Sequence, residues 1–388
     1  MAQELAHALI TPYSLHKSRT GGIIGRLLAW GELKLVGARM YAPSNEFVDE
    51  YVQTFRDSSL EGKALADIEA YLGENLRPGN STAMSNRVMA LFFQGEDASG
   101  KLHNVLGPLE QELRGDSVRA TYGDLVRDAG GRTVYFEPAV LGAPDRDAEL
   151  QQLKLLADRA RTDGGVVEEA VDLPADAQTT LVMIKPDLFA KNSSRPGNII
   201  DMFSRTGLFI VGARLVHLSL NQGNEFYGPL RTIFVEKLKF LVENRLRERL
   251  SDAFNFEISD ADFAAMTDLL KDRNAECEFN QIVRYMTGRD PYKETDEAVM
   301  AGPGRSTCLA LCYRGVDAIN KIRERLGPTN PKEAAGGTVR SDYGSDLMRN
   351  GAHASDSPEN AVRERGIVGL SGDEPSAEAE MIREFLAG

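Results

Sequence analysis

The tetrapeptide Val-Gly-Ala-Arg occurs twice, at Val36-Gly37-Ala38-Arg39 and at Val211-Gly212-Ala213-Arg214. Further matches follow in the same order. Leu106-Gly107-Pro108 answers Leu326-Gly327-Pro328, and Val118-Arg119 with Tyr122-Gly123 answers Val339-Arg340 with Tyr343-Gly344. Collinear matches of this kind mark an internal duplication, so the chain has to build one domain twice. Its 388 residues suit two domains with insertions.

Each copy reads strand, helix, strand, helical excursion, strand, helix, then an irregular stretch. In the second copy the strand Leu181-Val182-Met183-Ile184 ends at Lys185-Pro186-Asp187. A helix at Ile199-Ile200-Asp201-Met202-Phe203 stops at Gly207, and Thr307 to Tyr313 is apolar enough for a central strand. Val316, Ile319, Ile322 and Leu326 then share one helix face. Alternation of this type predicts an α/β (α+β) sandwich with helices on a sheet. The expected boundaries are a first copy over 1–140, a helical linker over 141–178, and a second copy over 179–388. A helical insertion at about 231–278 has two apolar faces, Phe234, Leu238 and Leu241, then Phe263, Met266 and Leu270 from a start near Ser259.

A net charge of −13 and a pI near 5.1 argue against a protein that coats nucleic acid, but leave room for small phosphorylated ligands. No apolar run is long enough for a membrane span, and Met1-Ala2-Gln3-Glu4 lacks the basic and apolar regions of a signal peptide. Cys277, Cys308 and Cys312 form no Cys-x-x-Cys pair, so reduced cysteines and a cytoplasmic location are expected. Gly95-Glu96-Asp97-Ala98-Ser99-Gly100-Lys101 imitates a phosphate-binding loop, but Leu102 stands where a Mg²⁺-binding Ser or Thr belongs.

The stretch Arg349-Asn350-Gly351-Ala352-His353-Ala354-Ser355-Asp356-Ser357 is rich in turn-forming residues and reads as a surface loop presenting one imidazole. Such a histidine could serve as base, nucleophile or metal ligand. No His-Glu-x-x-His or Cys/His cluster is present to suggest a metal site.

Taken together, four segments resemble the nucleoside diphosphate kinase family. They are Lys185-Pro186-Asp187 after a strand, Leu326-Gly327-Pro328-Thr329-Asn330-Pro331, Gly337-Thr338-Val339-Arg340-Ser341-Asp342-Tyr343, and Arg349-Asn350-x-x-His353-x-Ser355-Asp356-Ser357. The resemblance covers residues 180 to about 370, interrupted by the insertion. It implies two ferredoxin-like βαββαβ domains in tandem and a phosphohistidine at His353. It also implies that Glu364 and Ser355 orient that imidazole, and that Lys185, Arg323, Arg340 and Thr329 contact nucleotide phosphates. Asn350 would contact the ribose, and Tyr227 would lie beside the histidine and phosphate. Mg²⁺ would travel mainly on the phosphates. The expected ligands are nucleoside di- and triphosphates, with no nucleic acid and no membrane as partners. An internal pseudo-dimer is expected, with or without a larger homo-oligomer.

Two other readings use the same residues: a non-catalytic nucleotide-binding scaffold or pseudoenzyme, and a protein-histidine phosphotransfer partner. Ala354 and Ser341 stand where the family usually has Gly; at φ > 0 either Cβ would cost about 1 kcal/mol. Phe279 lies near the family's base-stacking aromatic. In the first copy Thr11 answers Lys185 and His103 answers Arg323, while Arg119 answers Arg340. The His353 position falls near Arg132. Without nucleophile or phosphate lysine, the first copy is expected to be degenerate, in a structural or regulatory role.

Overall fold

The computed structural model describes residues 3–80, 82, 84–109, 116–372 and 374–388; Met1 and Ala2, read above for a leader, lie outside them. Two compact bodies result, one from Met1–Leu215 with Leu309–Gly388 and one from Val216–Cys308.

In the first body the first copy runs β1 (Glu4–Ile10), α1 (Pro12–His16), α2 (Thr20–Trp30), β2 (Lys34–Tyr41), α3 (Asn45–Arg56), α4 (Gly62–Asn75) and β3 (Val88–Gly95). It continues through α5 (Ala98–Leu106), α6 (Val118–Tyr122), a hairpin of β4 (Asp124–Arg127) and β5 (Thr133–Glu137), β6 (Val140–Leu141) and α7 (Arg146–Arg159). After β7 (Gly164–Gly165) the second copy follows with β8 (Ala177–Ile184), α8 (Arg195–Ser204) and β9 (Phe209–Val216). The second body holds α9 (Leu220–Tyr227), α10 (Leu230–Leu250), α11 (Asp260–Thr287) and α12 (Glu297–Ala301). The chain then returns through β10 (Cys308–Val316), α13 (Ala318–Leu326), α14 (Val339–Tyr343), β11 (Ala352–Ala354), α15 (Pro358–Ile367) and α16 (Ala377–Ala387).

One sheet has the strand order β6-β1-β3-β2-β7 and the other β11-β8-β10-β9. Without β7 the two orders are the same, and both belong to a ferredoxin-like α/β sandwich. The backbone repeats in detail. Asp97 and Asp317 adopt φ +51° and +56° before α5 and α13, and Gly107 and Gly327 adopt φ +81° and +83° after them. Period-two alternation sets the layers. Ala6, Ala8 and Ile10 face a core shared by both copies, whereas Leu5 and Leu9 face one formed with α3, α4 and α7.

The segment expected as a helical linker over 141–178 is different. β6 pairs with β1, and α7 lays Leu153 and Leu156 into the first copy's core. Only then does the chain cross. β7 pairs with Met40 and Tyr41 of β2, and Val167 N–H donates to Val211 O of β9 at 2.8 Å. Glu168 next pairs with both Arg314 and Arg365 of the second copy, each at 2.9 Å. The terminal α16 docks on the first copy instead of its own, burying Ala379 and Ile382 beside α7 and β2.

α2 and α8 cross where Gly21 faces Gly197, their backbones in direct contact. One turn on, the Asp201 carboxylate points at the backbone N–H groups of Gly21 and Gly22, at the start of α2. Burial pushes its pKa up to about 6. An acid whose folded pKa exceeds its unfolded value loses stability as pH rises between the two, and carries the full penalty above pH 6. Asp201→Asn should therefore raise stability by about 1 kcal/mol at pH 7.5, discounted for partial exposure. The gain should vanish below pH 4. Thermal melts at both pH values check this, and an equal effect at both would sink the assignment.

In the second body, α10 and α11 form an antiparallel hairpin. Lys239 pairs with Asp268 at 3.0 Å and Arg247 with Asp260 at 2.8 Å. Ser259 and Asp262 cap α11 reciprocally. Phe263 and Phe279 are buried under the guanidinium groups of Arg247 and Arg231. Leu270, expected on an apolar face, is exposed. Among the described residues no helix is long and apolar enough to cross a membrane.

Candidate functional site

β8 delivers Lys185 to the rim of the second sheet, and its backbone N–H donates to Gly351 O at 3.1 Å. That bond aligns the following residues, so His353 stands opposite Met183 in β11. Within the stretch expected to be a surface loop, Ala352–Ala354 thus form a short strand on the sheet edge. Gly351 has φ +85°, and a Cβ there would lie 2.9 Å from Val339 Cγ1, so this turn needs glycine. Neither Ala354 nor Ser341 has positive φ, so their departures from glycine introduce no strain.

Glu364 enters from α15, which Ser357 caps and Pro358 begins. Its Oε2 lies 2.8 Å from His353 Nε2 and accepts the Ser355 hydroxyl at 2.7 Å. Ser355 is anchored in turn by its backbone N–H on Leu181 O at 3.1 Å. Glu364 and Ser355 are buried, while the imidazole keeps 22% of its surface. The carboxylate sits dry and the ring faces the rim.

The Lys185 ammonium donates to Met348 O at 2.8 Å and to Asn350 Oδ1 at 2.6 Å. Asn350, expected at the ribose, is buried and gives its amide N–H groups to Thr329 O at 2.9 Å and Leu347 O at 3.1 Å. It ties together three segments and positions the lysine. Asp346 turns the loop by accepting the N–H groups of Met348 and Arg349, which hold its carboxyl below the usual range.

Arg340 donates to Gly327 O at 2.8 Å from half-buried surroundings. Its pKa is pushed down to about 10 by burial and then by the charge of Arg323. Asp342 accepts Gly337 N–H and does not neutralise it. Two guanidinium groups brought near each other in this way favour an anion between them. Arg323 and Thr329 are exposed.

The first body thus holds His353, Glu364 and Ser355 in one hydrogen-bonded group and Lys185, Asn350 and the Thr329 carbonyl in another, with Arg340 on Gly327 O and Arg323 close enough for its charge to act on Arg340. Tyr227 belongs to the second body, its ring centroid 5.0 Å from that of Phe226. Phe279, near the expected base-stacking position, is fully buried and has Arg231 over its ring at 4.1 Å. It offers no face to a base.

The first copy is corrected by its own register. Ile10 pairs with Val140 and Leu9 with Leu141, just as Ile184 pairs with Ala352 and Met183 with His353. Leu141 therefore occupies the histidine position, and Arg132 sits on the exposed hairpin turn. Counted from the caps Asp145 and Ser357, Gln152 occupies the Glu364 position. The shared cap offset is the sequence signal that marks this equivalence. Among the described residues no group of three or more His, Cys, Asp or Glu could hold a metal ion.

A family model described as nucleoside diphosphate kinase matches residues 178–243 and 256–369. The nucleoside diphosphate kinase of Halorhodospira halophila is 32% identical over 187 residues, covering 48% of this chain and 89% of that protein. The corresponding enzyme of Legionella pneumophila is 31% identical over 187 residues, with shares of 48% and 89%. Among solved structures, an NDP kinase from Pyrobaculum aerophilum is 25% identical, covering 49% of this chain and 94% of that one, with a TM-score of 0.33.

Proposed function

The chain belongs to the nucleoside diphosphate kinase family, and on that premise we propose that its second copy transfers the γ-phosphate of a nucleoside triphosphate to a nucleoside diphosphate through a phosphohistidine at His353. The observation that carries this reading is the His353–Glu364–Ser355 arrangement, with Nε2 on a buried carboxylate at 2.8 Å.

Glu364 draws the imidazole proton to Nε2 and leaves the lone pair on Nδ1. Nδ1 attacks the γ-phosphorus, an N–P bond forms, and the bond to the β,γ-bridging oxygen breaks as the diphosphate leaves. In the second half-reaction a terminal oxygen of the acceptor diphosphate attacks the same phosphorus, and the N–P bond breaks. Charge spreads over the equatorial oxygens in both steps, and Arg323, Arg340 and Lys185 offset it. Mg²⁺ brought in on the nucleotide phosphates would supply further positive charge at the leaving group. One site thus serves donor and acceptor in turn. The two copies, packed through α2 and α8, stand as an intramolecular pair where separate subunits would otherwise pair.

Incubation with γ-labelled ATP and Mg²⁺ should place acid-labile, alkali-stable label on the protein, which GDP then removes as labelled GTP. Nucleotide binding without label would favour a scaffold. Label that moves to a protein but not to GDP would favour histidine phosphotransfer between proteins.

A further inference from the structure

The first copy has a structural addition that its degeneracy does not explain. Residues 344–351 connect α14 to β11 directly in the second copy, whereas the first copy inserts the β4–β5 hairpin between α6 and β6. The hairpin ends at Glu137, which is buried. Its carboxylate accepts the Thr11 hydroxyl at 2.9 Å, the Ala139 N–H at 2.8 Å and the Tyr71 hydroxyl at 3.0 Å.

These donors occupy a defined place. Thr11 N–H donates to Ala139 O at 3.2 Å as Lys185 N–H does to Gly351 O, so Thr11 stands at the lysine position. Ala139 takes φ +61° where the second copy has glycine at +85°, and retains this turn at a cost of about 1 kcal/mol. Donors that converge on one buried oxyanion are what a phosphoryl group requires. Here the chain's own carboxylate receives them.

We propose that the β4–β5 hairpin is the built-in occupant of the phosphate end of the first copy's cleft, so that the chain binds one nucleotide and not two. The space left beside it, about 390 Å³, is bordered by Tyr13, Tyr71 and Tyr135 and by the carboxylates of Asp67, Glu74 and Glu137. Three carboxylates around one opening repel phosphates. Asp67 also accepts the Thr133 hydroxyl at 2.9 Å, which fastens the hairpin to α4, and Tyr71 meets Phe136 edge-on at 6.0 Å. Arg119 repeats the contact of Arg340 with Gly327 by donating to Gly107 O, but it also donates to Val140 O at 3.2 Å and is buried. Arg19 lies over the Tyr13 ring at 5.0 Å and donates to Tyr122 O.

The inference rests on the reading that the Lys185 end of the second copy holds phosphates, and the test separates the two. The full chain titrated with Mg²⁺–ADP in a calorimeter should bind one equivalent, and Lys185→Ala/Arg340→Ala should lose it by at least 100-fold in affinity. Two equivalents in the wild type, or one persisting at full affinity in the double variant, would overturn the proposal. No binding in the wild type would instead count against the kinase reading, and the hairpin then stands on a second measurement. Glu137→Ala should speed amide exchange over residues 124–137 at least tenfold, because Thr11 and Tyr71 lose their shared acceptor. Unchanged exchange there would overturn the proposal whatever the nucleotide data say.

Discussion

His353→Ala is expected to lower nucleoside diphosphate phosphorylation by about 10⁴-fold or more, because a covalent step loses its nucleophile. The label from γ-labelled ATP should disappear with it. Folding should be little changed, since the side chain is partly exposed and packs no core cluster. Glu364→Gln gives the informative contrast. It keeps the size and an oxygen for Ser355 but removes the charge that fixes the Nε2–H tautomer. Turnover should drop by about 10²-fold with KM little altered, and label should still form, more slowly. Wild-type rates in His353→Ala, measured by coupled assay, would end the phosphohistidine mechanism. Equal losses in both variants would show that Glu364 does more than orient the ring.

The second large effect lies far from the chemistry. Gly197→Ala places a methyl group 2.5 Å from Gly25 N and 2.8 Å from Gly25 Cα, and closer still to Gly21 O. These are backbone atoms, so no rotamer change relieves the clash and α2 and α8 must separate. Ile23, Ile24, Ile199, Ile200 and Phe203 then lose packing in the core that both copies share. Overpacking against backbone should cost about 3 kcal/mol, lowering Tm by roughly 6–12 °C. Gly73→Ala is the control of opposite sign. No atom lies within 4 Å of that added Cβ in α4, so the change should stabilise by about 0.5–1 kcal/mol. A calorimetric melt in which both variants behave alike would mean that the crossing is not tight.

The distance between sequence and structure varies with the kind of signal. The apolar run Leu181 to Ile184 with Lys185 behind it was legible as a strand end, because burial on both faces leaves a continuous apolar pattern. The turn-rich segment around His353 was not legible as β11, since three residues cannot display a period. Arg132 was misplaced because the hairpin inserts residues that spacing alone cannot detect; pairing of Leu9 with Leu141 locates the true equivalent. In sequence the helix α7 looks like linker, because its kinship with α15 lies in capping geometry and not in shared residues. Phe279 kept the right residue type near the expected position, but the pairing of α10 with α11 buried it. Equivalent positions of the two copies are readable where a segment keeps its length, and are lost where the length changes.

The placement of α16 has a consequence for how the molecule can be divided. In sequence it follows the second copy, yet Ala379 and Ile382 complete the outer core of the first, and Arg383 donates to Ala157 O at 3.0 Å. A cut anywhere between the copies would deprive the amino-terminal fragment of this cover and leave the carboxy-terminal fragment with an amphipathic helix that has nowhere to rest. The last helix of the chain thus serves as a clasp, with its side chains in the first copy's outer core and its backbone continuous with the second copy.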